Sequence, residues 1–143
     1  ERLDMSISSI NDLLQKKSGM LGLTGFSDLR EIEDAALKGD EVCILALEMN
    51  AYRIKKYIGA YIAVLNGLDG IIFTAGIGEN SDYMRQLVCK NLECFDIFMD
   101  NNLNVVRSNN PRLINTPKSN IEIAIIPTNE ELEIAKQTYS KLI

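Results

Sequence analysis

A glycine-rich segment, residues 70–81 with the sequence GIIFTAGIGENS, has the residue types and spacing best suited to chemistry. Its apolar, β-branched start predicts a strand, and Asn80 or Ser81 predicts the N-cap of a following helix. Gly76 and Gly78 lie between them, and glycine allows positive φ angles and close approach of a ligand to the backbone. Strand, glycine loop and helix N-terminus together favour binding of a phosphate or nucleotide, although an ordinary strand-to-helix turn has the same pattern.

Two further polar turns precede helical patterns. Residues 27–30 read SDLR, and residues 127–132 read PTNEEL directly after an apolar run. Because ligands bind beyond the carboxyl ends of strands in α/β sheets, the glycine segment and the second turn could share one rim. Each turn also has a structural interpretation: Asp28 as a helix cap, and Glu130 and Glu131 as acidic residues that complement a helix dipole.

Composition limits the possible functions. The 143 residues are 46% hydrophobic and 24% charged, which predicts one folded domain with a real core. The net charge of −5 argues against a nucleic-acid partner, and the longest apolar stretch, residues 57–65, is too short to cross a bilayer. Three cysteines and no histidine exclude a histidine relay and favour reduced, mostly buried thiols in a cytoplasmic protein.

Capping residues and apolar spacing predict helices and strands in an α/β layer architecture. The long central helix carries apolar residues on too many sides for a surface helix, which indicates burial in a core or between subunits. The predicted elements are a helix capped by Ser8 or Ser9 and ended at Gly19, a helix over 29–38 capped by Asp28, a helix over 40–67 capped by Asp40, a strand over 71–74, a helix over 82–91, strands over 95–99, 105–106 and 121–126, and a last helix opened by Thr128 with Glu131 completing a capping box.

Three separated segments resemble acetate kinases in their C-terminal part, in the same order. They are SGMLGLTGFSDLREIEDAA, AYRIKKYIGAYIAVLNGLDGIIFTAGIGENS and IPTNEELEIA, and they extend over most of the chain. The resemblance implies transfer of a phosphoryl group between ATP and acetate, giving acetyl phosphate and ADP. It also implies an α/β fold with a mixed sheet flanked by helices, the C-terminal half of the duplicated, ribonuclease H-like architecture shared with actin, sugar kinases and Hsp70-type ATPases.

The same resemblance implies which residues contact ligands. The aspartate-to-arginine element, Asp28 to Arg30, would lie beside the adenosine, with the planar guanidinium of Arg30 near the adenine. The glycine segment would lie at the nucleotide, and Glu130 would contact Mg²⁺, a hard cation that suits a carboxylate. The residues carried over are Asp28, Leu29, Arg30, Gly76, Ile77, Gly78, Glu79 and Asn80 for ATP or ADP, and Glu130 for Mg²⁺.

The family's phosphate-contacting Asn-x-x-Ser-Ser segment and its catalytic aspartate, histidine and arginines lie upstream of the matched region. Residues 1–143 are therefore expected to be a single C-terminal, nucleotide-side domain without the N-terminal domain, inactive alone and without catalytic residues. Acetate would bind only with the missing part, and the family implies a homodimer. A propionate or butyrate kinase of the same family, and a non-catalytic dimerising interaction domain, stay open as alternatives.

Overall fold

The structure is a computed structural model that describes residues 5–142. The chain forms two compact units, one ending at Tyr57 and the other beginning at Ile58. None of the three cysteines, which all lie within residues 5–142, forms a disulfide. Cys43 and Cys89 are buried and Cys94 is exposed, in agreement with the mostly buried thiols predicted from composition.

The first unit is helical, and local capping explains where its helices begin. Ser6, not the predicted Ser8 or Ser9, caps the first helix, because its side chain accepts a hydrogen bond from the Ser9 backbone N–H. Asp28 and Asp40 cap the helices that they were predicted to cap. Gly19 has a φ of 64° and begins a short helix that was not predicted. The helices are α1 (Ile7–Lys16), α2 (Gly19–Thr24), α3 (Leu29–Leu37) and α4 (Glu41–Leu65), which continues into the second unit.

One face of α4 is buried and the others carry exposed apolar side chains. Cys43, Ala46, Leu47 and Ala51 repeat at helical spacing and are all buried. The exposed large side chains of α4 are Val42, Leu45, Met49, Tyr52, Ile54, Tyr57, Tyr61, Val64 and Leu65.

The second unit contains a three-stranded mixed sheet with strand order β1–β3–β2. β1 and β3 are parallel, with Phe73 paired to Ile125, and β2 is antiparallel to β3. This confirms the predicted strands near 71–74 and 121–126. The elements are β1 (Gly70–Phe73), α5 (Ala75–Asn80), α6 (Asp82–Cys89), a 3-10 helix (Glu93–Phe95), α7 (Asn101–Asn104), β2 (Arg112–Leu113), β3 (Glu122–Ile125) and α8 (Glu130–Leu142).

Two predicted strands are wrong. Residues 95–99 form no strand; Phe95 ends the 3-10 helix, and Met99 makes a single bridge to Asn115. Their apolar pattern reflects burial of Ile97 in the core. Residues 105–106 follow α7, whose start is stabilised because the Asp100 side chain accepts hydrogen bonds from the backbone of the first helical turn. The short strand in this part of the chain is β2 instead.

The core of the second unit packs against one face of the sheet. Alternation along β3 buries Ile123 and Ile125, and they cluster with Ile97, Ile114 and Leu92. This packing fixes β1 and β3 side by side, so the segments that leave their carboxyl ends begin at neighbouring points.

Candidate functional site

The ends of β1 and β3 are joined by hydrogen bonds as well as by the sheet. Ile126 donates its backbone N–H to the carbonyl oxygen of Phe73 at 3.0 Å. The Thr74 hydroxyl donates to the Ile126 carbonyl at 2.8 Å. The structure therefore brings residues 76–80 and the PTNEEL turn to one edge of the sheet, as predicted from their positions after strands.

Residues 76–80 are helical, so the prediction of a loop is wrong. They belong to α5, and neither Gly76 nor Gly78 has a positive φ; the left-handed residue is Ala75, at φ 60°. Gly78 is favoured for a different reason, since a Cβ there would lie 3.1 Å from the carbonyl carbon of Phe73, a tight contact with the backbone of β1. A Cβ on Gly76 would meet no atom within 4 Å. One glycine thus allows α5 to pack on β1, and the other leaves open space.

Of the two residues predicted to cap the next helix, Ser81 does so and Asn80 does not. Ser81 accepts a hydrogen bond from the Met84 backbone N–H and caps α6. Asn80 is the last residue of α5, and its amide donates to the Gly76 carbonyl at 2.9 Å.

Glu79 connects α5 with the segment that leads into α8. Its Oε1 accepts hydrogen bonds from the Thr128 backbone N–H at 2.7 Å and from the Thr128 hydroxyl at 3.0 Å. The Thr128 backbone N–H is the main cause that lowers the pKa of the Glu79 carboxyl; the Thr128 hydroxyl and the Ala75 backbone lower that pKa further. Residues 49 positions apart are therefore held together by one carboxylate.

The capping box predicted for the last helix is wrong, because Thr128 is bound to Glu79. Asn129 is the cap: its Oδ1 accepts from the Leu132 backbone N–H at 2.9 Å, and its carbonyl accepts from Glu133. Glu130 and Glu131 are then the first two residues of α8. Glu130 is exposed, and its carboxylate has no hydrogen-bond or ion-pair partner within residues 5–142.

Arg85 binds the backbone of α5 from a buried position, a role that was not predicted from the sequence. Arg85 is 1% exposed, and its guanidinium donates to the carbonyl oxygens of Gly78 and Glu79, at 2.8 and 3.0 Å, and to the side chain of Asn104 at 2.7 Å. Burial lowers its pKa. Val88 and Cys89, three and four residues after Arg85, are buried on the same face of α6. An arginine on an apolar helix face is a sequence pattern that could have indicated the buried position of Arg85.

The aspartate-to-arginine element lies in the first unit and forms a fork-shaped ion pair. Asp28 accepts from the Arg30 backbone N–H at 2.9 Å, from Nε at 3.0 Å and from Nη2 at 2.5 Å. The Arg30 hydrogen bonds lower the pKa of Asp28 to about 2. The Arg30 side chain is 87% exposed, so its guanidinium plane is oriented by Asp28 but remains open to solvent. Leu29 between them is half-buried.

Neither a ready-made metal cluster nor a membrane-spanning helix occurs within residues 5–142. No group of three or more acidic or cysteine side chains in that range is placed to hold a metal ion. None of the helices in this part of the chain has the length and apolar character needed to cross a membrane.

Comparisons with known proteins agree with the fold. Residues 1–136 match a family model described as the acetokinase family. The acetate kinase of Flavobacterium johnsoniae is 57% identical over 133 residues, which are 93% of this chain and 34% of that protein. The crystal structure of Porphyromonas gingivalis acetate kinase is 42% identical with a TM-score of 0.85, covering 97% of this chain and 35% of its own.

A further solved structure, a propionate kinase from Francisella tularensis, is 38% identical with a TM-score of 0.81, covering 92% of this chain and 33% of its own. The chain spans about a third of the length of the relatives that it matches. These likenesses confirm the predicted α/β fold with a mixed sheet and flanking helices.

Proposed function

This chain belongs to the acetokinase family, and we propose that it forms the nucleotide side of a kinase that transfers a phosphoryl group between ATP and acetate. Because it spans about a third of its relatives, the acetate side and the catalytic groups would come from the rest of such a protein. The observation that carries the proposal is the shared edge at the ends of β1 and β3, where α5 and α8 begin. Ligands in α/β sheets bind beyond strand ends of this kind.

The residues of α5 would approach the nucleotide mainly through the backbone. Gly76 has open space where a side chain would otherwise lie, and Ile77 beside it is exposed. Gly78 keeps this short helix close to β1. The side-chain amide nitrogen of Asn80 already donates to Gly76, which leaves the side-chain oxygen of Asn80 to accept a hydrogen bond from a ligand. These features support the contacts inferred from the family for Gly76, Ile77, Gly78 and Asn80.

Arg30 would stack on the adenine. Its guanidinium is planar and exposed, and Asp28 orients it through two side-chain nitrogens. Stacking on an aromatic base uses that planar face, which lysine lacks. Leu29 would add an apolar contact beside the adenosine.

Glu130 would hold Mg²⁺, and the residues present fit such a role. Mg²⁺ usually keeps several waters and binds through one or two carboxylates and substrate phosphates, so one unpaired carboxylate is sufficient. When bound, Mg²⁺ would offset the negative charge of the phosphates during transfer. Glu130 lies at the first position of α8, at the edge that α5 also reaches.

The 143-residue chain alone should make no acetyl phosphate, since phosphoryl transfer requires groups positioned on both sides of the cleft. The acyl pocket would lie outside the chain, so a preference for propionate or butyrate stays an alternative; the Francisella tularensis structure that this chain resembles is a propionate kinase.

The exposed apolar side chains of α4 support a symmetric homodimer. Cysteines without disulfides support a location in the cytoplasm. Tyr52, Tyr57 and Tyr61 are all exposed on this helix, and aromatic residues are enriched in protein interfaces. Sedimentation at micromolar concentration should give a species of twice the 16.0 kDa chain. A monomer alone would contradict the dimer, and a non-catalytic dimerising domain would dimerise without binding nucleotide.

Calorimetry with ADP tests the nucleotide site directly. Arg30→Ala should weaken ADP binding by about tenfold, the loss of about 1.4 kcal/mol expected for one stacking contact. Arg53→Ala is the matched control, because Arg53 is also an exposed arginine on a helix but is not among the residues proposed to contact the nucleotide. Equal ADP affinity in the Arg30 variant and the unsubstituted chain would remove Arg30 from the site.

A further inference from the structure

We propose that Glu79 is a positioning residue, whose carboxylate holds the start of α8, and with it Glu130, against α5 instead of touching the nucleotide or metal. The proposal rests on the proposed function for its kinetic consequence, but its structural part stands on the hydrogen bonds alone. One oxygen of Glu79 accepts from both the backbone N–H and the hydroxyl of Thr128, at 2.7 and 3.0 Å. Thr128 directly precedes the cap Asn129 and lies two residues before Glu130.

The backbone of Glu79 is fixed independently of its side chain. Arg85 donates to the carbonyl oxygens of Gly78 and Glu79 from a buried position, and Gly78 packs on β1. Removing the Glu79 carboxylate should therefore leave α5 in place. Its effect should appear on the other side of the contact, at Thr128.

The start of α8 has few other restraints. No residue of α8 is buried within the described part of the chain, so packing does not fix the helix. Asn129 caps α8 from within its own segment and does not connect it to a neighbouring element. Within residues 5–142, the hydrogen bonds from Thr128 to Glu79 therefore tie α5 to the residue just before the Asn129 cap, and they lie two residues beyond Ile126, which is bound to Phe73 and Thr74.

A direct contact between Glu79 and the nucleotide is disfavoured by charge. A carboxylate beside a polyphosphate is repelled unless a cation lies between them. Glu79 is half-buried, and its Oε1 is already bound to two donors of Thr128. Glu130, in contrast, is exposed and unpaired within the described residues, which leaves it available to a metal ion.

Amide hydrogen exchange in the 143-residue chain tests the structural part without any activity. The Thr128 amide should be protected, and its exchange should become about tenfold faster or more in Glu79→Ala, since the acceptor is lost. Glu79→Gln should keep most of the protection, because an amide oxygen accepts the same hydrogen bonds. Glu133→Ala, which removes another carboxylate near the start of α8, is the control and should leave Thr128 unchanged. Equal exchange of Thr128 in Glu79→Ala and the unsubstituted chain would overturn the proposal.

The kinetic part uses a hybrid protein in which this chain replaces the matching region of the Flavobacterium johnsoniae acetate kinase. Glu79→Ala should raise the Mg²⁺ concentration for half-maximal activity by about tenfold, the lower end of the effect of residues that orient metal ligands. Glu79→Gln should stay close to the unsubstituted hybrid. Thr128→Val should shift the Mg²⁺ requirement in the same direction, and its effect should not add to that of Glu79→Ala.

Three kinetic results would overturn the proposal. A direct metal or nucleotide contact would make Glu79→Gln as damaging as Glu79→Ala. Additive effects of Thr128→Val and Glu79→Ala would show that Glu79 does not act through Thr128. A merely structural role would lower the melting temperature and leave the Mg²⁺ requirement unchanged. If the unsubstituted hybrid is inactive, the proposed function fails, and the exchange experiment still decides whether Glu79 holds Thr128.

Discussion

Alanine substitution at the two glycines of α5 should have opposite effects on stability. Gly78→Ala places a Cβ 3.1 Å from the carbonyl carbon and 3.4 Å from the Cα of Phe73, both backbone atoms of β1. Gly76→Ala places a Cβ in the same short helix with no atom within 4 Å. The two variants make the same chemical change and differ in the space around it.

The magnitude follows from two opposing terms. Alanine replaces glycine in a helix with a gain of about 0.5–1 kcal/mol, and both variants share this gain. Overpacking against a backbone that must move by a few tenths of an ångström costs about 1–3 kcal/mol, and only Gly78→Ala has this cost. Gly76→Ala should therefore be more stable than Gly78→Ala by about 1–3 kcal/mol, because the shared helix term cancels in the difference.

Urea unfolding of both variants, followed by circular dichroism, measures the difference in unfolding free energy. Equal stability of the two variants would refute the close packing of α5 on β1. Calorimetry with ADP adds a second test, since a Cβ on Gly76 would occupy the space proposed for the ligand. Gly76→Ala should bind ADP more weakly than the unsubstituted chain although it is at least as stable, and unchanged affinity would remove Gly76 from the site.

Three further predictions concern caps and carboxylates. The pKa of Asp28 is about 2 in the folded chain, below its ordinary value of 3.8, so the stability that Asp28 contributes to the fold is fully present above the unfolded pKa and is lost as pH falls towards 2. Asp28→Asn should remove that pH dependence of the unfolding free energy, measured with urea. Identical pH profiles for the variant and the unsubstituted chain would contradict the ion pair. Asn129→Ala should lower the free energy of urea unfolding by about 0.5–2 kcal/mol, while Glu131→Ala should change it by no more than about 0.5 kcal/mol. The reverse order would make Thr128 the cap of α8. In the hybrid, Glu130→Ala should lower turnover about tenfold or more and raise the Mg²⁺ requirement without changing the melting temperature. Glu131→Ala is the control for this variant. Normal kinetics with a lower melting temperature would make Glu130 a structural residue.

Features determined by neighbouring residues were predictable from the sequence. Asp28, Asp40 and Ser81 cap helices because a short side-chain oxygen reaches a backbone N–H two or three residues ahead. The β-branched runs that became β1 and β3 are likewise local patterns. The shared edge of the two strands followed from the general rule for parallel strands.

Features determined by tertiary contacts were not predicted from local spacing. Two glycines weigh against a helix over residues 76–80, but the buried Arg85 binds its carbonyl oxygens and Gly78 fits closely against β1. Thr128 has the right spacing for a capping box, yet Glu79 binds it from 49 residues away and Asn129 becomes the cap. Local spacing does not contain either contact.

Acetyl phosphate formation by the hybrid protein tests the central claim most directly. The hybrid should convert ATP and acetate with Mg²⁺ at a rate within about tenfold of the Flavobacterium johnsoniae enzyme, while the 143-residue chain alone should show no turnover. A folded hybrid that binds no ADP and forms no acetyl phosphate would contradict the assignment of this chain to the nucleotide side of the kinase.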